Sequence, residues 1–327
     1  MIDDLAHRRR AARPELRAHV EIARIDHWFK NVFVFPGIVA AWGIDPAHLA
    51  RNIWARMAAG LLSVCLVASS NYVINEVLDA PSDRSHPVKR NRPVPSGRVH
   101  LTAAYAQWIG LMLGGLALGT YVGPSFVATM LVLWVMGCLY NIRPVRSKDL
   151  PYIDVLSESV NNPLRMLAGW HIAGTSWMAP ASLLLSYWMV GAYFMAMKRF
   201  AEYRDIGDPA RAAAYRKSFA YYTEEKLLVS IMFYGSAAML FLGAFIMRYK
   251  LELILAFPLV ALVMAVYLAL AFKKDSAVAR PEGLYREPAL MLAVAGCTVL
   301  MGVLLFVKIP WLHRVFTPTA PTISAPR

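Results

Sequence analysis

Asn75, Asp79 and Asp83 follow one another at intervals of four, so on a helix they share one face. Their side chains offer hard oxygen ligands, the kind Mg2+ takes while it shares its remaining positions with substrate phosphates. A basic run comes directly after: Arg84, His86, Lys89, Arg90 and Arg92. Oxygen ligands beside cations in this order suit a diphosphate held through Mg2+. A charged loop with polar helix caps would use the same residues. Pro81, between the second and third oxygen ligands, is a potential helix break.

A second polar set is Asp154, Ser157, Glu158, Asn161, Asn162 and Arg165. At helical pitch Asp154, Glu158, Asn161 and Arg165 fall within an arc of about 60°. One stripe of acid, amide and base reads as the wall of a polar cavity. An internal ion pair of Arg165 with Glu158 or Asp154 would leave the same stripe. A third set is Lys198, Arg199, Glu202, Tyr203 and Arg204. There Lys198 and Glu202 either pair at i, i+4 or serve a phosphate.

These groups interrupt a chain that is otherwise apolar. Of 327 residues, 58% are apolar and 17% charged, against about 25% charged in soluble domains. The apolar residues fall into runs of roughly 17–25, the length of a membrane-crossing helix. Carboxylates inside such runs cost about 2.5–3.5 kcal/mol each on insertion scales, so they need a function or a partner. The runs predict nine spans, at 31–44, 53–78, 101–121, 125–142, 152–173, 178–198, 226–247, 251–271 and 287–308. The expected fold is therefore all-α: a multi-spanning membrane protein, about nine transmembrane helices around a central polar cavity open to the cytoplasm. Residues 1–327 read as one domain, with a cytoplasmic or interfacial segment over 1–30 and a tail over 309–327. Arg8, Arg9, Arg10 and Arg13 are not followed by an apolar core as in a signal peptide, and 14–29 reads as an interfacial helix.

The net charge of +13 marks cytoplasmic loops rather than a nucleic-acid partner. Placing the N-terminus inside puts most of the 34 lysines and arginines on that side. The expected location is a bacterial inner membrane, with the N-terminus cytoplasmic and the C-terminus outside. Gly110, Gly114, Gly115, Gly119 and Gly123 predict close helix packing in the third span. Cys65, Cys138 and Cys297 stand alone in apolar runs and support neither zinc nor a disulfide.

Together the clusters resemble the UbiA superfamily of intramembrane transferases. Asn75-Glu-Val-Leu-Asp79-Ala-Pro-Ser-Asp83 is similar to its first motif, N(D)xxDxxxD, and Arg92-Pro-Val-Pro-Ser-Gly97 follows it as in many members. Within the superfamily, four segments resemble the decaprenyl-phosphate phosphoribosyltransferase group. They are Arg24 to Asn31 (RxxxWxKN), Asp83 to Pro93 (DxxHPxKRxRP), Lys148-Asp-Leu-Pro151-Tyr-Ile-Asp154 with Leu164-Arg165, and Lys198-Arg199-Phe-Ala-Glu202. Glu76 replaces the usual Asp, and Ser157 to Pro163 is more polar than the group's apolar stretch.

The resemblance implies Mg2+ on Asn75, Asp79 and Asp83. It implies Asp79, Asp83, Asp154 and Lys89 in catalysis, and Lys30, Asn31, Arg90, Arg92, Lys148, Glu158, Arg165, Lys198 and Glu202 in substrate binding. One implied reaction moves a phosphoribosyl group from 5-phosphoribosyl diphosphate to a polyprenyl phosphate lying among the membrane lipids. The alternative uses a prenyl diphosphate and an aromatic or quinone-precursor acceptor, with Asp154 and Glu158 as a second acidic motif. A transporter or lipid-binding protein is a third reading, against which stand the one-sided clusters and the lack of a half-to-half repeat.

Overall fold

The computed structural model describes residues 16–84, 89–279 and 281–316. The arginines at 8–13, His86 and the tail beyond residue 316 lie outside the described residues. Among the described residues every regular element is a helix. Helix α1 (Leu16–Ile22) precedes 3-10 turns over Ile25–Val34 and α2 (Phe35–Ile44). Then come α3 (Ile53–Asp83), α4 (Leu101–Gly119), α5 (Pro124–Asn141), α6 (Ile153–Ser159), α7 (Asn161–Ile172) and α8 (Ala181–Ile206). Helices α9 (Pro209–Tyr215), α10 (Glu224–Tyr249), α11 (Phe257–Ala271), α12 (Pro288–Phe306) and α13 (Pro310–Phe316) complete the chain. Pro36, Pro124, Pro258 and Pro288 fall in the first turns of their helices, where the missing N–H removes no intrahelical bond.

Among the described residues six segments are long and apolar enough to cross a membrane: α3, α4, α5, α10, Leu251–Ala271 and α12. Their outer faces expose Trp54, Val229, Met232 and Leu292, surface that lipid covers and water would not. The chain is an integral membrane protein.

The other three expected spans have helical counterparts of a different make. Span 31–44 is a run of 3-10 turns joined to the ten-residue α2. Span 152–173 is two helices, α6 and α7, meeting at Val160. Pro163 explains the break, since it has no N–H for the Ser159 carbonyl. Span 178–198 belongs to α8, whose serines, tyrosines and terminal charges make it less apolar than the six. The interfacial helix expected over 14–29 is α1 plus separate turns, because Arg24 takes a left-handed backbone conformation (φ 50°). Pro81, by contrast, does not stop α3, which runs on to Asp83.

Two packed groups carry the site. Helices α8 and α10 bury Tyr193, Phe200, Leu227 and Tyr234. Helices α2, α5 and α7 bury Ile38, Phe126, Leu133 and Trp170. A side chain on Gly37 would run into the Met166 carbonyl, and one on Gly169 into the Val34 carbonyl. Helices α2 and α7 therefore touch backbone to backbone, as small residues permit. That contact holds the 3-10 run, with Lys30 and Asn31, against α7. Of the glycine stripe on α4, Gly115 lies against Val67 and Gly119 against Ser63 and Phe126, while Gly110 meets open space. The three cysteines are free thiols.

Candidate active site

Because α3 keeps its helical register past Pro81, Asn75, Asp79 and Asp83 stand along one face of its last turns. The loop after α5 curls back to meet them. Arg146, in a left-handed conformation (φ 34°), donates from Nη2 to Asp79 Oδ1 at 2.9 Å and from Nη1 to the Asn141 carbonyl at 3.1 Å. Lys148 Nζ donates to the same Asp79 oxygen at 2.6 Å and to Asn141 Oδ1 at 2.9 Å. Asn75 Nδ2 donates to Asn141 Oδ1 as well, at 2.5 Å. Asp83 accepts from Arg92 Nη1 at 2.9 Å, with Lys89 Nζ at 3.9 Å. Burial pulls both lysines below the ordinary ammonium range, opposed at Lys148 by Asp79 and at Lys89 by Asp83. Arg90 is exposed.

Glu76, the departure from the motif, is buried and points to the loop that carries Arg92. Its Oε1 accepts from the Val94 N–H at 3.0 Å. The longer carboxylate thus anchors that loop to α3.

The second set divides at the helix break. Asp154 is fully buried and accepts from Arg199 Nε at 3.2 Å, Ser218 Oγ at 3.2 Å and Tyr222 Oη at 2.8 Å. It does not share a wall with Arg165, because α6 turns it toward α8 and the segment before α10. Glu202 accepts from Arg199 Nη1 at 3.2 Å and lies 4.0 Å from Lys198 Nζ. The expected pairing of Lys198 with Glu202 is therefore present at long range, and Arg199 is the centre of this group.

Arg165 belongs elsewhere. Its Nε donates to Asn31 Oδ1 at 2.9 Å, and Asn31 Nδ2 reaches Cys65 Sγ at 3.1 Å. Among the described residues, Arg165 and Glu158 make no ion pair with each other or with a third group. Lys30 Nζ lies 3.3 Å from His27 Nδ1, and His27 packs edge-on against Tyr72 at 5.4 Å. Two lysines of the first group lie over aromatic rings, Lys148 over Tyr140 at 5.8 Å and Lys89 over Tyr215 at 5.2 Å.

The structure thus gathers Asn75, Asp79, Asp83, Lys89, Arg92 and Lys148 in one group and joins Asn31 to Arg165 in another, with Lys30, the chain neighbour of Asn31, on His27. Asp154, Lys198 and Glu202 lie in a third. Asn141, Arg146, Ser218 and Tyr222 enter as residues the sequence reading did not select. Asn141 carries a legible signal, an amide closing an apolar run just as Asn75 does. Ser218 and Tyr222 carry none.

The donor set at the end of α3 is all oxygen, which fits Mg2+ and not a soft metal. Among the described residues no three His, Cys, Asp or Glu side chains form a closed cage. Two carboxylates and an amide leave positions for phosphate oxygens and water, as Mg2+ sites usually do.

Residues 32–286 match the UbiA prenyltransferase family. The chain belongs to that family. It is 31% identical over 210 residues to decaprenyl-phosphate phosphoribosyltransferase of Corynebacterium glutamicum, covering 62% of this chain and 59% of that protein. It is 28% identical over 214 residues to the enzyme of that name from Mycolicibacterium smegmatis, covering 64% and 63%. The match thus spans about six-tenths of the length of these relatives. A UbiA homologue of Archaeoglobus fulgidus, solved bound to DMAPP and Mg2+, superposes with a TM-score of 0.66 at 19% identity. It covers 87% of this chain and 99% of that one. The UbiA fold therefore extends over most of the chain.

Proposed function

We propose that this UbiA-type transferase moves a phosphoribosyl group from 5-phosphoribosyl diphosphate to a polyprenyl phosphate, releasing diphosphate and depending on Mg2+. The observation that carries this reading is the presence of two separate cationic groups. Lys89, Arg92, Arg146 and Lys148 surround the acidic face of α3. Arg165, half-buried and bonded to Asn31 beside Lys30, has no carboxylate partner among the described residues. An uncompensated guanidinium there is costly unless an anion comes to it. A donor diphosphate and an acceptor monophosphate would use both groups, whereas an aromatic acceptor would leave the second idle. The names of the two bacterial relatives point the same way.

In this reaction the bond from ribose C1 to the diphosphate oxygen breaks and a bond from C1 to an acceptor phosphate oxygen forms. Positive charge grows on C1 and negative charge on the departing diphosphate. Asn75, Asp79 and Asp83 would hold Mg2+, which would supply Lewis-acid stabilisation to the leaving group. Arg92 and Arg146 present planar forks to phosphate oxygens, and Lys89 and Lys148 act as point charges. Arg165 and Lys30 orient the acceptor phosphate, which is already anionic and needs no base. The surrounding helices keep water from C1, where it would hydrolyse the donor. In this reading Glu158 accepts from a ribose hydroxyl. The chain crosses a bacterial inner membrane nine times, N-terminus inside, so the polar end of α3 opens to the cytoplasm, where the soluble donor is found.

The test uses purified protein in detergent with Mg2+, labelled phosphoribosyl diphosphate and polyprenyl phosphates of several lengths. Label is expected in the extracted lipid, and it is lost on chelation and in Asp79→Ala by about 100-fold or more. No transfer to any length would overturn the reading. Prenyl transfer would then lead, since the structural neighbour binds DMAPP with Mg2+, and prenyl diphosphates with aromatic acceptors would be the next substrates.

A further inference from the structure

We infer that Asn141 is a positioning residue for the metal site, and that Lys148 sets it. The two faces of an amide differ, since its oxygen only accepts and its nitrogen only donates. Lys148 Nζ lies 2.9 Å from Asn141 Oδ1, and an ammonium can meet only the oxygen. On the other side, Asn141 Nδ2 donates to the Gly137 carbonyl at 2.9 Å, which accepts only from the nitrogen. Two independent partners therefore fix the same orientation of Asn141. Its oxygen then faces Asn75, which must answer with its own nitrogen, as it does. Asn75 Oδ1 is left outside this chain of bonds, on the helix face shared with Asp79 and Asp83.

The same ammonium acts on the next ligand. Lys148 and Arg146 both donate to Oδ1 of Asp79, which leaves Oδ2 for another partner. One lysine thus presents two ligand oxygens, one directly and one through Asn141. Outer-shell partners of this kind are typically worth about 10–100-fold in metal affinity.

The inference rests on the reading that this face of α3 holds a divalent cation with a diphosphate. It does not depend on what the diphosphate was attached to, so a failure of lipid labelling leaves it standing. The test measures binding of Mn2+, in place of Mg2+, by the full chain in detergent with inorganic diphosphate, from the EPR signal of free Mn2+. Asn141→Leu is expected to bind about ten-fold more weakly. Asn141→Asp keeps an oxygen toward Asn75 and Lys148 but has no donor for the Gly137 carbonyl, so it is expected to recover part of the lost affinity. Asn71→Leu is the control. Asn71 bridges the same two helices through the Leu133 carbonyl at 3.0 Å but is outside the Lys148 chain of bonds, so its loss lowers thermal stability and leaves Mn2+ affinity unchanged.

A further variant removes any dependence on how well Asn141→Leu folds. Asn75→Asp adds a charge to the ligand but has no N–H to answer Asn141, so it binds Mn2+ no more tightly than the wild-type chain. The inference is overturned by unchanged affinity in Asn141→Leu, by an equal loss in Asn71→Leu, or by a marked gain in Asn75→Asp. Absence of Mn2+ binding by the wild-type chain would overturn the metal site and this inference together.

Discussion

Asp154 and Asp79 are both carboxylates facing cations, yet their surroundings give them different work. Asp79 is partly open, with side-chain exposure of 21%, and two cations converge on one of its oxygens. The other oxygen is available to a ligand. Asp154 has no exposed surface, and three donors fill its carboxylate. Its position makes it a brace between α6, α8 and the segment before α10. Removing one member of a buried pair leaves the other charge uncompensated, at about 3–5 kcal/mol. Asp154→Leu is therefore expected to lower the thermal denaturation temperature in detergent markedly. Arg199 keeps Glu202 as a partner at 3.2 Å, so adding Arg199→Met should restore only part of that loss. A double variant no more stable than Asp154→Leu would instead place the role of Asp154 in binding.

At the scale of elements, α2 and α7 determine whether the second cationic group exists. Asn31 reaches Arg165 only because Gly37 and Gly169 let the two backbones meet. Gly37→Ala inserts a methyl group against the Met166 carbonyl, and overpacking of this kind costs about 1–3 kcal/mol. It also moves the 3-10 run from α7. The expected kinetic signature is a KM for the lipid acceptor raised several-fold, with KM for the donor little changed. A rise confined to the donor would contradict the assignment of Arg165 to the acceptor. The break at Val160 works at the same scale. It aims α6 at Arg199 and α7 at Asn31, so acids and bases that share a stripe on an unbroken helix diverge.

For the whole molecule, the charge distribution and the apolar segments together determine how it sits in the membrane. Lys89, Arg92, Arg146 and Lys148 all gather at the polar end of α3, and basic loops stay on the cytoplasmic side. Lys250 follows the far end of α10. In a cysteine-free background, Lys250→Cys is expected to react with an impermeant thiol reagent on intact cells. Arg90→Cys, on the exposed turn after α3, should react only after permeabilisation. The reverse pattern would invert the topology and place the donor site outside the cell.

Helix content, the membrane setting and the acidic motif were legible in the sequence because each is a property of one segment. Apolar runs, i, i+4 spacing and basic loops are all local. The motif and its following loop also carried the family resemblance, and residues 32–286 match that family. What tertiary structure decided is which groups meet. Asn75 meets Asn141, Asn31 meets Arg165, and Asp154 meets Tyr222 across 66, 134 and 68 positions of chain. No periodicity within one helix encodes such pairs. They follow from the angle and closeness at which helices pack, set here by Pro163, by the glycines of α2 and α7, and by the curl of chain at Arg146.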